Sequence, residues 1–80
     1  MEITIYGPEG CSNCSNLNDK TQEVVDENNF EAEVEKDGDM AKLAEKGIMS
    51  TPGFEIDDEM VFTGNNPPKD HLKELIEERA

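Results

Sequence analysis

Met1-Glu2-Ile3-Thr4-Ile5-Tyr6-Gly7-Pro8-Glu9-Gly10-Cys11-Ser12-Asn13-Cys14 joins a strand pattern to a helical one through a loop that ends in a C-x-x-C pair. Glu2 to Tyr6 alternates, with Ile3 and Ile5 on one face and β-branched content that favours a strand. From Ser12 to Asn28 the small or apolar positions are Cys14, Leu17, Thr21, Val24 and Val25. Their three-to-four spacing draws one buried stripe along a helix. Cys11 therefore falls at a helix start, where free backbone N–H groups and the macrodipole favour an anionic thiolate. Cys14, one turn on, shares its face and lies within disulfide reach.

This pair is a poor staple. Eighty residues make one small domain that buries only roughly 60–65% of its unfolded surface. Closing a four-residue loop adds about 2 kcal/mol, and a structural disulfide framework uses several long-range pairs. A short-range dithiol between strand and helix instead has the parts that disulfide exchange needs: a nucleophilic thiolate and a neighbouring thiol to resolve the mixed disulfide. Cys11 is the more exposed nucleophile and Cys14 the more buried resolver. Ser12 and Asn13 are small and polar, able to accept bonds from first-turn N–H groups. No cation lies close in sequence to acidify Cys11 further, and Glu9 opposes the helix dipole.

Outward from the dithiol the pattern continues. Phe30, Ala32 and Val34 alternate with Glu31, Glu33 and Glu35 as a second strand, and Lys36-Asp37-Gly38-Asp39 forms a turn. Asp39 caps a short helix from Met40 to Lys46, with Gly47 as its C′ residue. Gly53–Ile56 and Met60–Thr63 read as a hairpin across Asp57-Asp58-Glu59. After Gly64-Asn65-Asn66-Pro67-Pro68, a final helix runs almost to Ala80 on a stripe of Leu72, Leu75 and Ile76. The order β-α-β-α-β-β-α predicts an α/β fold whose mixed four-stranded sheet is flanked by helices.

The net charge of −13, from 20 acidic and 7 basic side chains, argues against nucleic acid and anionic membrane as partners. The acidity reads either as a solvated, self-repelling surface or as steering towards a basic partner. No stretch has the length or apolarity of a membrane span, and no signal-peptide pattern opens the chain. A cytoplasmic protein is expected. The only histidine, His71, lies on the last helix pattern as a solvated residue, so a four-donor zinc site would need an uncommon ligand set. A soft-metal module using the Cys11 and Cys14 thiolates is the competing reading. Small metal chaperones of that kind follow the order β-α-β-β-α-β instead. A redox-sensing adaptor, switched by the same dithiol, is a third.

Taken together, Ile3-Thr4-Ile5-Tyr6-Gly7, Gly10-Cys11-Ser12-Asn13-Cys14, Leu17, Val34-Glu35-Lys36, Gly47-Ile48-Met49-Ser50-Thr51-Pro52-Gly53 and Ile56-Asp57 resemble the thioredoxin superfamily. More particularly they resemble its short archaeal and bacterial thioredoxin-like members, also termed glutaredoxin-like or redox-active disulfide proteins. The resemblance spans essentially the whole chain. It implies a thiol–disulfide oxidoreductase in cell redox homeostasis, with Cys11 attacking, Cys14 resolving and no bound cofactor or metal. It also implies that Pro52 is a cis-proline facing the disulfide and that Thr51 offers backbone groups to an extended substrate segment. Pro8, Ser12, Asn13, Thr51, Pro52 and Gly64 would form the docking surface, with Met49 either part of it or core filler. Protein disulfides would be the substrates, a thioredoxin-reductase-like protein the electron donor, and a monomer the working form.

The chain also departs from the larger members. It has no Trp, carries Ser-Asn between the cysteines rather than Gly-Pro or Pro-Tyr, and offers only Ile, Thr and Tyr inward or nearby on its first strand, with no buried acid there to assist Cys14. The loop between Gly7 and Cys11 is one residue longer than the family's shortest form. Gly64-Asn65-Asn66 matches only part of a glutathione-binding glycine turn, and no basic patch accompanies it. Protein dithiol chemistry is therefore expected over glutathione chemistry.

Overall fold

The computed structural model describes residues 1–8 and 10–79, so the reading attached to Glu9 falls outside the described residues. Seven elements follow in the expected order: β1 (Glu2–Tyr6), α1 (Ser12–Glu27), β2 (Glu33–Asp37), α2 (Met40–Glu45), β3 (Gly53–Ile56), β4 (Glu59–Thr63) and α3 (Lys69–Glu77). The sheet order is β2-β1-β3-β4. β1 runs parallel to β2 and antiparallel to β3, and β3 and β4 form the hairpin. The mixed sheet flanked by helices is thus the architecture that the pattern predicts.

The alternation along β1 and β3 sorts their side chains between two faces. Ile3, Ile5, Phe54 and Ile56 meet Leu17, Val24 and Val25 of α1 and Leu72 and Ile76 of α3 in one core. Burying each such side chain contributes about 1.5–3 kcal/mol, which makes this face the main source of stability. Thr21 is buried in the same stripe because its hydroxyl donates to the Leu17 carbonyl at 2.7 Å. Phe54 and Phe62 stack across the hairpin, their centroids 4.9 Å apart. The hairpin turns through Asp57 and Asp58, both at positive φ (47° and 66°), the handedness that matches strand twist.

The opposite face carries Tyr6 and Glu55, covered from α2. The Tyr6 hydroxyl donates to Glu55 Oε1 at 3.0 Å, and Lys46 Nζ bonds Oε2 at 2.9 Å. Glu55 of β3 is thus a buried acid committed to Tyr6 and Lys46, and the first strand carries none.

Several boundaries differ from the sequence pattern. The second strand begins at Glu33, not Phe30, and continues through Lys36 and Asp37, which the pattern assigns to a turn. Asn29 at φ 54° and the bond from Phe30 N–H to the Val25 carbonyl close α1, leaving Phe30 and Ala32 to pack on the core from a loop. Strand pairing then starts where Glu33 N–H meets the Met1 carbonyl at 2.9 Å and runs to Tyr6↔Asp37. α2 ends at Glu45, with Gly47 at φ 69° behind it. α3 stops at Glu77, and Leu75 is only half-buried. No helix of the described residues is long and apolar enough to cross a membrane.

Candidate active site

α1 begins where the chain leaves β1, and the dithiol occupies that corner. Cys11 is the N-cap, with extended backbone (φ −79°, ψ 105°), and its Sγ accepts the Cys14 N–H at 3.1 Å. The cysteine sulfur thus takes the capping place expected of Ser12 or Asn13, which stand exposed in the first turn. Cys11 and Cys14 are joined as a disulfide, their Cα atoms 5.3 Å apart. Cys14 is fully buried and Cys11 half-exposed, the asymmetry that the sequence predicts.

What buries Cys14 is Gly7. A β-carbon built there would lie 2.2 Å from Cys14 Sγ and 3.9 Å from Cys11 Sγ. Gly7 is fixed in turn from β2: its N–H donates to the Asp37 carbonyl at 3.0 Å, and its carbonyl lies against Gly38. The sequence pattern assigns Gly7 no role in the site. Its only signal is a glycine at a strand's end beside a C-x-x-C.

The other residues that the resemblance assigns to the site lie at the start of β3 and the end of β4. Thr51-Pro52 is a cis peptide, and Pro52 is buried while Thr51 is half-exposed. Tyr6, the neighbour of Gly7, pairs with Gly53, the neighbour of Pro52, at the end of the antiparallel ladder. The Pro52 carbonyl accepts the Gly64 N–H at 2.8 Å, which ties the end of β4 to the same corner. Gly64 adopts φ 73°, and a β-carbon there would stand 2.9 Å from Ser50 Cβ, so both its conformation and its space call for glycine. Pro8 is half-buried, and its carbonyl accepts the Cys11 N–H at 3.3 Å. Met49, left open between docking and core, is 96% exposed and is not core filler.

Two lysines distant in sequence brace this corner. Lys36 Nζ donates to Ser15 Oγ at 3.0 Å, one residue past Cys14. Lys20 Nζ donates to the Pro67 carbonyl at 2.6 Å, and Asn66 bonds Asn16 at 3.4 Å. None of these contacts is visible in sequence spacing.

Electrostatics sharpen away from the sulfurs. Burial, and next the hydrogen bond to Glu55, raises the Tyr6 pKa above its ordinary value. The bond to Glu55 likewise holds Lys46 protonated to higher pH. Asp37 is held below the usual carboxylate range, first by the Asp39 N–H and then by Lys42. His71 is exposed on α3. Among the described residues no group of three or more His, Cys, Asp or Glu side chains is placed to hold a metal ion.

An inner sulfur sealed against a glycine and an outer one at a helix start, with a cis-proline directly before the strand paired with β1, make an arrangement suited to disulfide exchange. Known sequences agree. The profile of the family described as "Thioredoxin domain" matches residues 1–77. A protein named thioredoxin from Methanothermobacter thermautotrophicus is 36% identical over 76 residues, covering 95% of this chain and 97% of that protein. Another named thioredoxin, from Methanocaldococcus jannaschii, is 35% identical over 74 residues, covering 92% of this chain and 84% of that protein. The chain belongs to the thioredoxin domain family, and its C-x-x-C pair is the redox centre of a thiol–disulfide oxidoreductase.

Proposed function

We propose that Cys11 is the attacking thiol and Cys14 the resolving one in the reduction of protein disulfides. The observation that carries this is their unequal burial: Cys14 is sealed against Gly7, whereas Cys11 is open to an approaching disulfide. The Cys14 N–H aimed at Cys11 Sγ favours the charged form of that sulfur once reduced. A substrate segment lies across Pro8, Ser12, Asn13, Thr51, Pro52 and Gly64, with Thr51 supplying main-chain bonds. Cys14 then displaces the reduced substrate, and a thioredoxin-reductase-like donor restores the dithiol. The chain works as one domain, as a monomer, in the cytoplasm.

Trapping separates the two roles. With an oxidised protein substrate, Cys14→Ser should accumulate a mixed disulfide through Cys11, seen by intact mass. Cys11→Ser should accumulate little. The reverse pattern would exchange the roles, and no adduct with either variant would defeat the assignment.

A further inference from the structure

The first turn of α1 lacks negative charge. Of the 80 residues 20 are acidic, yet Ser12, Asn13, Cys14 and Ser15 include none, so nothing in that turn offsets the positive end of the helix dipole. The fold brings a cation there instead. Val34 and Lys36 lie on the α1 side of β2; Val34 packs on the core, and Lys36, in register with Ile5, reaches past it. Its Nζ donates to Ser15 Oγ at 3.0 Å. The Ser15 N–H donates to the Cys11 carbonyl at 3.1 Å, closing the turn that Cys11 caps.

Lys36 differs from the other cations of the chain. Lys42, Lys46, Lys69, Lys73 and Arg79 each meet a carboxylate, and Lys20 donates to the Pro67 carbonyl. Among the described residues Lys36 has only a neutral hydroxyl. The carboxylates nearest to it in sequence on the α2 side are engaged, Asp37 with Lys42 and the Asp39 N–H, and Asp39 with the Ala41 N–H. Along α1 the next charges are Asp19 and Lys20, and segments 47–54 and 60–68, which flank the cis-proline and Gly64, carry none. Tyr6, Glu55 and Lys46 bond one another on the far face of the sheet. While Cys11 and Cys14 are joined, a lysine at a helix start adds positive charge to a positive dipole, which is unfavourable. The placement becomes favourable once a negative charge forms in the turn, and reduced Cys11 is the group able to carry one.

We infer that Lys36, held by Ser15, is a positioning residue of the redox centre that favours Cys11 as a thiolate in the reduced protein. This rests on the reading of Cys11 as the attacking thiol. On reduction the Cys11 proton leaves to solvent and the sulfur keeps the electron pair, so ammonium and helix dipole act together on that charge. A cation near this turn, partly screened by solvent, shifts the thiol–thiolate equilibrium by about threefold.

Three variants test the inference. Lys36→Met removes the charge at similar length, Lys36→Arg keeps it, and Ser15→Ala removes its anchor. Each reduced protein is alkylated with iodoacetamide across a pH series. The thiolate sulfur displaces iodide and forms a thioether, and peptide mass shows which cysteine is labelled. Below the Cys11 midpoint, at about 10 mM salt, Lys36→Met should react about threefold more slowly than the unsubstituted protein and reach the same plateau at high pH. Lys36→Arg should stay within about 1.5-fold of the unsubstituted protein, and Ser15→Ala should fall between the two. At about 1 M salt, where the Debye length is about 3 Å, the gap should close.

Equilibration with glutathione buffers reads the same effect on the couple. At about pH 8.5 the reduced form of Lys36→Met should be about threefold less favoured, a potential about 14 mV lower, since tenfold in the equilibrium constant is about 30 mV. At about pH 5.5, where Cys11 is a neutral thiol, the two proteins should agree. A lysine that only held β2 against α1 would affect both redox states alike and leave the pH profile and the potential in place. Coincident profiles for Lys36→Met and the unsubstituted protein, or equal losses in Lys36→Arg and Lys36→Met, would overturn the inference alone. Labelling that begins at Cys14 would overturn the reading of Cys11 beneath it.

Discussion

A β-carbon on Gly7 would stand 2.2 Å from Cys14 Sγ and 2.9 Å from Cys14 Cβ, so the end of β1 and the inner sulfur share one space. Gly7→Ala must push α1 away from the sheet or tilt the disulfide. Forced packing of this kind costs about 1–3 kcal/mol, read as a lowered urea midpoint at unchanged slope. Combining it with Cys14→Ala removes the sulfur and should recover part of that loss. Strict additivity of the two substitutions would show that Gly7 and Cys14 are not coupled.

Glu55 is the one buried carboxylate among the described residues, and it serves two donors. Glu55→Ala leaves the Tyr6 hydroxyl buried without its acceptor, and should cost about 1–3 kcal/mol. Glu55→Gln keeps an acceptor and should cost less. Lys42→Ala, which breaks only a solvent-screened pair with Asp37, should cost less than Glu55→Ala. Equal losses for Glu55→Ala and Lys42→Ala would contradict this ranking of the two pairs.

The same cluster sets the alkaline limb of stability. Tyr6 and Lys46 have pKa values raised above 10.0 and 10.5 by folding. Each contribution is whole below the unfolded value and is lost as pH climbs through the folded one. Urea midpoints should therefore hold to about pH 10 and then fall, with a shallower fall in Tyr6→Phe. Asp37 acts in the opposite sense. Its pKa lies below 3.8 when folded, so its contribution is present above 3.8 and vanishes as pH drops through the folded value. Asp37→Asn should flatten the acid limb.

With 20 acidic and 7 basic side chains the folded chain repels itself. Screening should relieve this, raising the melting temperature by about 5 °C or more between 10 mM and 1 M sodium chloride. A melting temperature that is flat or falls with salt would mean that the ion pairs of Lys69, Lys73 and Arg79 outweigh the general repulsion.

How much of this was legible in the sequence follows from how local each cause is. Cys14, Leu17, Thr21, Val24 and Val25 were readable as the buried face of α1 because helical periodicity is local, and all five are buried. Asp39 and Gly47 were readable as caps for the same reason. β2 was misplaced because its start is decided by Met1 and its length by Tyr6, both some thirty residues away in sequence. The apolar alternation at Phe30 and Ala32 comes instead from loop residues packing on the core. At the site, the dithiol and Thr51-Pro52 stood out as motifs. Gly7 under Cys14, Lys36 at Ser15 and the buried Glu55 are products of strand register, which no spacing encodes.

The central claim is that Cys11 and Cys14 cycle between dithiol and disulfide. A redox titration of metal-free protein against defined thiol–disulfide buffers, followed by mass and by thiol labelling, tests it most directly. A reversible two-electron couple between about −300 and −180 mV, abolished by either cysteine substitution, is the predicted result. An intramolecular disulfide that never forms across that range, or never opens, would contradict it.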